Sequence, residues 1–395
     1  MSNNFETTAV RAGIDVDQQH GAVTPPLYLS SNYSFEDLNK PRTYDYSRSG
    51  NPTRDILSDA LSKLEHAAGG VITSTGMSAV TLVLQLLEKD ALVLAPHDCY
   101  GGTFRLLSTL HEKGIINVQF INQTNLEEVK SYLELKPSLL WIETPSNPLL
   151  RVVDIEGLCN LVGPKVLKVV DNTFLSPALQ NPIKFGADLV VHSTTKYING
   201  HSDVVGGAVL AKTEELAEKI KWWANCIGIT ASPFDCLLTT RGLRTLNVRM
   251  KQHLTNVKQI IEFLKQHHAV EKIYYPGLSD HQGHEIAKKQ QTDFGAMLSF
   301  KIKGGIDNVQ RFVNGLQYFT LAESLGGVES LVCHPATMTH AAMAKTAQLK
   351  AGITDNLIRL SVGIESCEDL ILDLDNALNR SQITKIIRKT AQPLI

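Results

Sequence analysis

Between residues 53 and 245 the chain switches repeatedly between short apolar runs and stretches with helical periodicity, and this alternation constrains the fold more than any other feature. Runs at 70–73, 91–95, 118–121, 139–143, 166–170, 189–192 and 207–211 have the length and apolar character of buried strands. Helical patterns such as 54–65 and 77–87 lie between several of them. Strands joined through helical crossovers pair side by side in one direction, so the pattern predicts an α/β domain with a mainly parallel, seven-stranded sheet. Ligands of such sheets sit beyond the carboxyl ends of the strands. The polar residues follow that rule: Ser74-Thr-Gly76-Met77-Ser78 comes after the first run, His97-Asp-Cys-Tyr100-Gly-Gly after the second, Glu143-Thr-Pro-Ser-Asn147-Pro after the fourth, Asp171 after the fifth and Ser193-Thr-Thr195-Lys196 after the sixth. Five loops converge on one place.

On either side the pattern changes. Residues 1–52 are polar, interrupted by Pro25, Pro26 and Pro41, and read as an extended arm. Residues 246–395 read as a smaller C-terminal α/β domain: a long helix at 247–267, strands at 270–275, 296–301 and 357–362, and a closing helix at 367–378. A chain of 395 residues, 43% of them hydrophobic, can bury cores for both. Its 38 basic residues against 40 acidic ones leave a net charge of −2, which offers no general attraction to nucleic acid or an acidic membrane, so a small-molecule substrate fits better. The six cysteines form no C-x-x-C pair, which suits reduced thiols and argues against a metal site. No basic, apolar leader and no run of about eighteen apolar residues is present, so the expected location is cytoplasmic, away from membranes.

Lys196 stands at the centre of the site chemistry. A lysine held over a sheet edge, with the hydroxyls of Ser193 and Thr195 beside it, suits Schiff-base formation with a carbonyl cofactor such as pyridoxal phosphate. Most lysines after a strand are solvated surface groups, so the stretch alone leaves both readings open. Asp171, at another strand end, can pair with a protonated pyridine nitrogen, or serve as a helix N-cap. Gly76 and Met77 open a helix whose N-terminus can face a phosphate. Tyr100 can stack on a cofactor ring, or be a turn residue before Gly-Gly. Asn147 can hold the cofactor's phenolic oxygen, or cap a helix. In the arm, Tyr46 and Arg48 stand two apart and face the same way if extended, a pairing that suits a phosphate as well as a surface loop. An arm of this length need not serve its own domain.

The set Tyr46-x-Arg48, Thr75-Gly-Met77, Tyr100-Gly-Gly, Glu143-Thr-Pro-Ser-Asn-Pro148, Asp171-Asn-Thr, Ser193-Thr-Thr-Lys-Tyr-x-Asn-Gly-His-Ser-Asp203 and Arg359-Leu-Ser-Val-Gly-Ile-Glu365 closely resembles the Cys/Met-metabolism pyridoxal-phosphate enzymes, over nearly the whole chain. The resemblance implies the aspartate-aminotransferase-type fold (PLP fold type I) and a homotetramer built from dimers that share their active sites. It implies that Lys196 carries the cofactor, Asp171 pairs with the ring nitrogen and Tyr100 stacks on the ring and assists proton transfer. Gly76, Met77, Ser193 and Thr195 would hold the phosphate, with Tyr46 and Arg48 from the adjacent subunit. Arg359 would grip the substrate's α-carboxylate, the alternative being a structural salt bridge. The loop containing Glu323 and Ser324 is similar to one that lies over the substrate in γ-acting members, and Arg105 would serve a distal carboxylate. Finer marks, among them Trp222-Trp-Ala-Asn and His334-Pro-Ala-Thr-Met-Thr-His340, resemble the branch that replaces the acyl group of O-succinylhomoserine with cysteine to give cystathionine, on the way to methionine. Ser49 points to the alternative, elimination from cystathionine to cysteine, 2-oxobutanoate and ammonia, because the replacing branch tends to carry an arginine there. A scaffold on the same fold is the non-enzyme alternative, and the presence of both Lys196 and Asp171 speaks against it.

Overall fold

Strands form where the sequence carries its apolar runs, because only there are both faces of the backbone covered by side chains. In the computed structural model, which describes residues 4–341 and 343–383, seven strands make the first sheet: β1 (Gly69–Thr73), β2 (Leu92–Pro96), β3 (Asn117–Ile121), β4 (Leu139–Glu143), β5 (Leu167–Asp171), β6 (Leu189–His192) and β7 (Gly207–Ala211). Their order is β1-β7-β6-β5-β4-β2-β3, and of the seven only β7 runs against its neighbours. The mainly parallel α/β sheet expected from the sequence is present. Along β4, Leu139 and Trp141 enter one apolar layer with Val169, Val191 and Val209, while Leu140 and Ile142 enter the opposite layer with Val170. Side chains alternate faces along a strand, so a strand covered on both sides is apolar at every position until its end. There the polar residues begin.

Four helices set the loops around that end. α1 (Phe5–Val10) interrupts the arm, and α2 (Pro52–Glu65) starts at Asn51, whose side chain accepts the N–H groups of Thr53 and Arg54. α3 (Gly76–Leu84) starts at Thr75, whose side chain accepts the N–H of Ser78, and α4 (Gly101–Glu112) starts at Tyr100. Past α1, residues 11–51 carry no helix or strand beyond isolated bridges such as Asn32 with Tyr46. The arm is pinned to α2 where Asn51 Nδ2 donates to Tyr28 O at 2.9 Å and Thr53 Oγ1 donates to Pro26 O at 3.0 Å.

The second sheet has the order β10-β11-β12-β9-β8, from β8 (Val270–Tyr274), β9 (Met297–Ile302), β10 (Thr320–Leu321), β11 (Leu331–Cys333) and β12 (Leu357–Ser361). Helices Leu246–Gln266 and Cys367–Ser381 cover it through Val257, Ile260, Leu264, Leu370 and Leu374, in an apolar core that runs on to Leu57 and Leu61 of α2. Arg359 lies on the central strand β12, its Cα opposite those of Cys333 and Ser299. The sequence pattern did not reveal the six-residue α1, nor β10 and β11; two or three residues are too few for a period to register, and tertiary pairing alone makes those two segments strands. Residues 1–3 of the expected arm and 384–395 of the expected C-terminal domain lie outside the described residues. Among the described residues no helix is long and apolar enough to cross a membrane.

Candidate active site

The carboxyl ends of β1, β2, β4, β5 and β6 surround a cavity of about 400 Å³. Each of the five loops singled out in the sequence contributes to its wall: Gly76 and Met77, Tyr100, Asn147, Asp171, and Ser193, Thr195 and Lys196. Glu323, Ser324 and Arg359 come from the second sheet and its loops. The loop after β3 is absent from this wall because β3 is the far edge strand.

Lys196 is tucked into a turn after β6, and its Nζ donates to Ser324 Oγ at 2.6 Å. Burial pushes the amine down to about 8, and the nearby Arg359 adds to the effect while Glu323 opposes it. An amine so placed is partly neutral near physiological pH and can act as a nucleophile or a base. Asp171 accepts the N–H of Thr173 on Oδ1 at 3.0 Å, and Thr173 Oγ1 in turn accepts the N–H of Ser193 at 2.9 Å. Burial raises the Asp171 carboxyl, with the Thr173 hydrogen bonds opposing. A cationic ring nitrogen beside it would offset that burial cost.

At the start of α3 the Thr75 hydroxyl accepts the Ser78 N–H at 2.9 Å. The N–H groups of Gly76 and Met77 lie in the first turn, where no helical carbonyl reaches them, so they are available to an anion. A Cβ at Gly76 would sit 2.9 Å from Ser193 Cβ, so glycine is what lets the helix start and the Ser193 loop share one cradle. Thr195 Oγ1 is engaged by Gly206, donating to its carbonyl at 3.2 Å and accepting its N–H at 3.0 Å. Arg359 is 2% exposed. Its Nη1 donates to Asn147 Oδ1 at 2.9 Å and its Nη2 to Ser324 O at 2.8 Å, while its buried Nε has no partner among the described residues. With its oxygen committed to Arg359, Asn147 has its NH2 group to offer a ligand, a donor suited to a phenolate or carboxylate oxygen.

Three sequence candidates stand apart. Tyr46 and Arg48 are exposed on the arm and do not line the cavity of their own chain; the Arg48 guanidinium lies 5.4 Å from the centre of the Tyr46 ring, and its Nε donates to Asn225 Oδ1 at 2.9 Å. Arg105 is exposed on α4, outside the cavity wall. Thr173 and Thr339, which also line the cavity, were missed as site residues by the sequence reasoning. Thr339 shares a 2.8 Å hydrogen bond with His340 Nδ1. It stood inside a quoted motif, but no spacing connects it to Lys196.

The residues present fit pyridoxal phosphate: an amine for its aldehyde, a carboxylate for its ring nitrogen, and a glycine-opened helix start with a serine for its phosphate. Fold and site thus define a fold-type-I pyridoxal-phosphate enzyme. More narrowly, the chain belongs to the Cys/Met metabolism PLP-dependent enzymes, whose family pattern matches residues 6–379. It is 53% identical to the cystathionine gamma-synthase of Escherichia coli (strain K12), over 95% of this chain and 98% of that one. It is 46% identical to a cystathionine beta-lyase of Lactococcus lactis subsp. cremoris, over 95% and 99%. Among solved structures, cystathionine gamma synthase from Xanthomonas oryzae pv. oryzae in complex with aminoacrylate and cysteine superposes with a TM-score of 0.95 at 56% identity, covering 96% of this chain and 99% of that one.

Proposed function

We propose that the protein forms a bond between the thiol sulfur of cysteine and Cγ of O-succinylhomoserine while the Cγ–O bond breaks, giving cystathionine and succinate. The observation that carries this reading is the graded similarity: 53% and 56% identity to two cystathionine γ-synthases, against 46% to a β-lyase with equal coverage. The geometry supports a γ-reaction. Bound pyridoxal phosphate supplies the electron sink for charge developing at the substrate's Cα. Arg359, oriented by Asn147 and Ser324, pairs with the α-carboxylate and so fixes which bond at Cα faces Lys196. The Lys196 amine, lowered to about 8 and anchored by Ser324, takes the proton from Cα, hands it on to the cofactor's C4′ and, neutral again, takes one from Cβ, because γ-departure requires both losses. Asp171 holds the proton on the ring nitrogen. Arg105 is the cation we assign to the distal succinyl carboxylate. We also assign Tyr46 and Arg48 to the cavity of a second copy, within a tetramer made of two such dimers.

Ser49 favours a second reading, γ-elimination from cystathionine. Its hydroxyl is tied to Asp45 Oδ1 and Tyr46 O, both at 2.7 Å, and brings no positive charge to a succinyl group. The two readings separate when the cofactor-loaded protein is given O-succinylhomoserine with and without L-cysteine and, in parallel, cystathionine. Cystathionine formed from the ester and cysteine is the expected product. Efficient conversion of cystathionine to cysteine and 2-oxobutanoate, with little use of the ester, would replace this reading with the second.

A further inference from the structure

Glu143 ends β4 at the cavity wall, in register with Asp171 at the end of β5. It is 7% exposed. Burial, reinforced by the charge of Asp171, pushes its carboxyl well above the usual range, so the position is an expensive one for an acid. None of the roles assigned above uses it. What it touches is backbone: Oε2 accepts the N–H of Tyr100 at 2.7 Å. Tyr100 is the N-cap of α4 but gives that helix no side-chain cap, so the carboxyl of Glu143 is the group that holds the helix entrance. The ring of Tyr100, 45% exposed, lies over Gly102, where a Cβ would come within 2.6 Å of its Cε1. A shift of the Tyr100 backbone therefore carries the phenol with it.

We propose that Glu143 is a positioning residue whose carboxyl clamps the Tyr100 loop to the end of β4, and so sets the phenol of Tyr100 against cofactor and substrate. The role is independent of which γ-reaction the site performs; it rests on Tyr100 facing the cofactor. Reach, not charge, is the operative property. Glutamine keeps an acceptor at the same distance and loses the charge, whereas aspartate keeps the charge and draws the acceptor back by about 1.5 Å, one C–C bond. Both are mild enough to fold.

The test compares Glu143→Gln and Glu143→Asp, alone and in a Tyr100→Ala background, by visible circular dichroism of bound pyridoxal phosphate, by titration of cofactor-free protein with pyridoxal phosphate, and by kcat and KM. Glu143→Gln should stay within about threefold of wild type in kcat/KM with its visible band intact, while Glu143→Asp loses about tenfold to hundredfold in kcat, as expected when one N–H is left without its acceptor, with a weaker band and lower cofactor affinity. In the Tyr100→Ala background Glu143→Asp should add little to the loss of the band. The reverse ranking, aspartate intact and glutamine impaired, would overturn the proposal, as would an undiminished effect of Glu143→Asp without the phenol. A Tyr100→Ala protein with the wild-type visible band would remove its premise.

Discussion

Burial is what tunes the amine of Lys196. Its amine is lowered to about 8, so the neutral, nucleophilic fraction grows as pH rises through that value. Cofactor-free protein mixed with pyridoxal phosphate should therefore capture it faster with rising pH, with an inflection near 8, followed by stopped-flow absorbance; Lys196→Ala should show no such phase. A rate that is flat between pH 7 and 9 would mean that the free amine does not limit capture. Lys196 and Asp171 stood out in the sequence because each lies at or just beyond the end of an apolar run, and the family resemblance then chose between the structural and the chemical use of each. Ser324, which receives the lysine's hydrogen bond, was known only through family resemblance, since 128 residues separate the two and no period links them.

The start of α3 and the ends of β5 and β6 act as units. Placing a methyl group at Gly76 drives it against Ser193, 2.9 Å away, and pushes the helix start out of the phosphate cradle. Gly76→Ala should weaken pyridoxal phosphate binding by about tenfold or more, the equivalent of roughly 1.4 kcal/mol, while the unfolding midpoint of the cofactor-free protein moves little. Equal losses in both would make the position structural. Glu65 gives the opposite case. At the end of α2 its Oε1 receives His192 Nε2 at 2.7 Å and Asn172 Nδ2 at 2.8 Å, and all three residues are fully buried. Glu65→Ala leaves the buried His192 Nε2 without its partner and removes one of the two acceptors of Asn172 Nδ2, which keeps Gln180 O at 2.7 Å, and should cost about 3 kcal/mol in chemical denaturation. A shift in the midpoint too small to resolve would show that water or relaxation replaces the carboxylate. Neither Glu65 nor its link to His192 could be read from the pattern, because Glu65 looks like an ordinary solvated residue at the end of an amphipathic helix.

At the scale of the whole molecule, the arm places Tyr46 and Arg48 on the outside, away from the cavity of their own chain. If a second copy receives them, subunits carrying Arg48→Ala mixed equally with subunits carrying Lys196→Ala should recover about a quarter of wild-type activity, since half the dimers are mixed and each has one intact site. Verified mixed dimers with no recovery would assign both residues to a structural role. The sequence by itself determined the sheet and the position of the site, because apolar runs can only be satisfied by burial on both faces and the polar residues at their ends must then gather on one side. It determined as well which residues would stand at that edge. Only the tertiary structure decided how they act on one another: that Ser324 meets Lys196, that Asn147 turns its oxygen to Arg359, and that Glu143 holds the backbone of Tyr100. Those partners come from separate stretches of chain, and hydrogen bonds between them depend on distances of a few ångströms that no local pattern encodes.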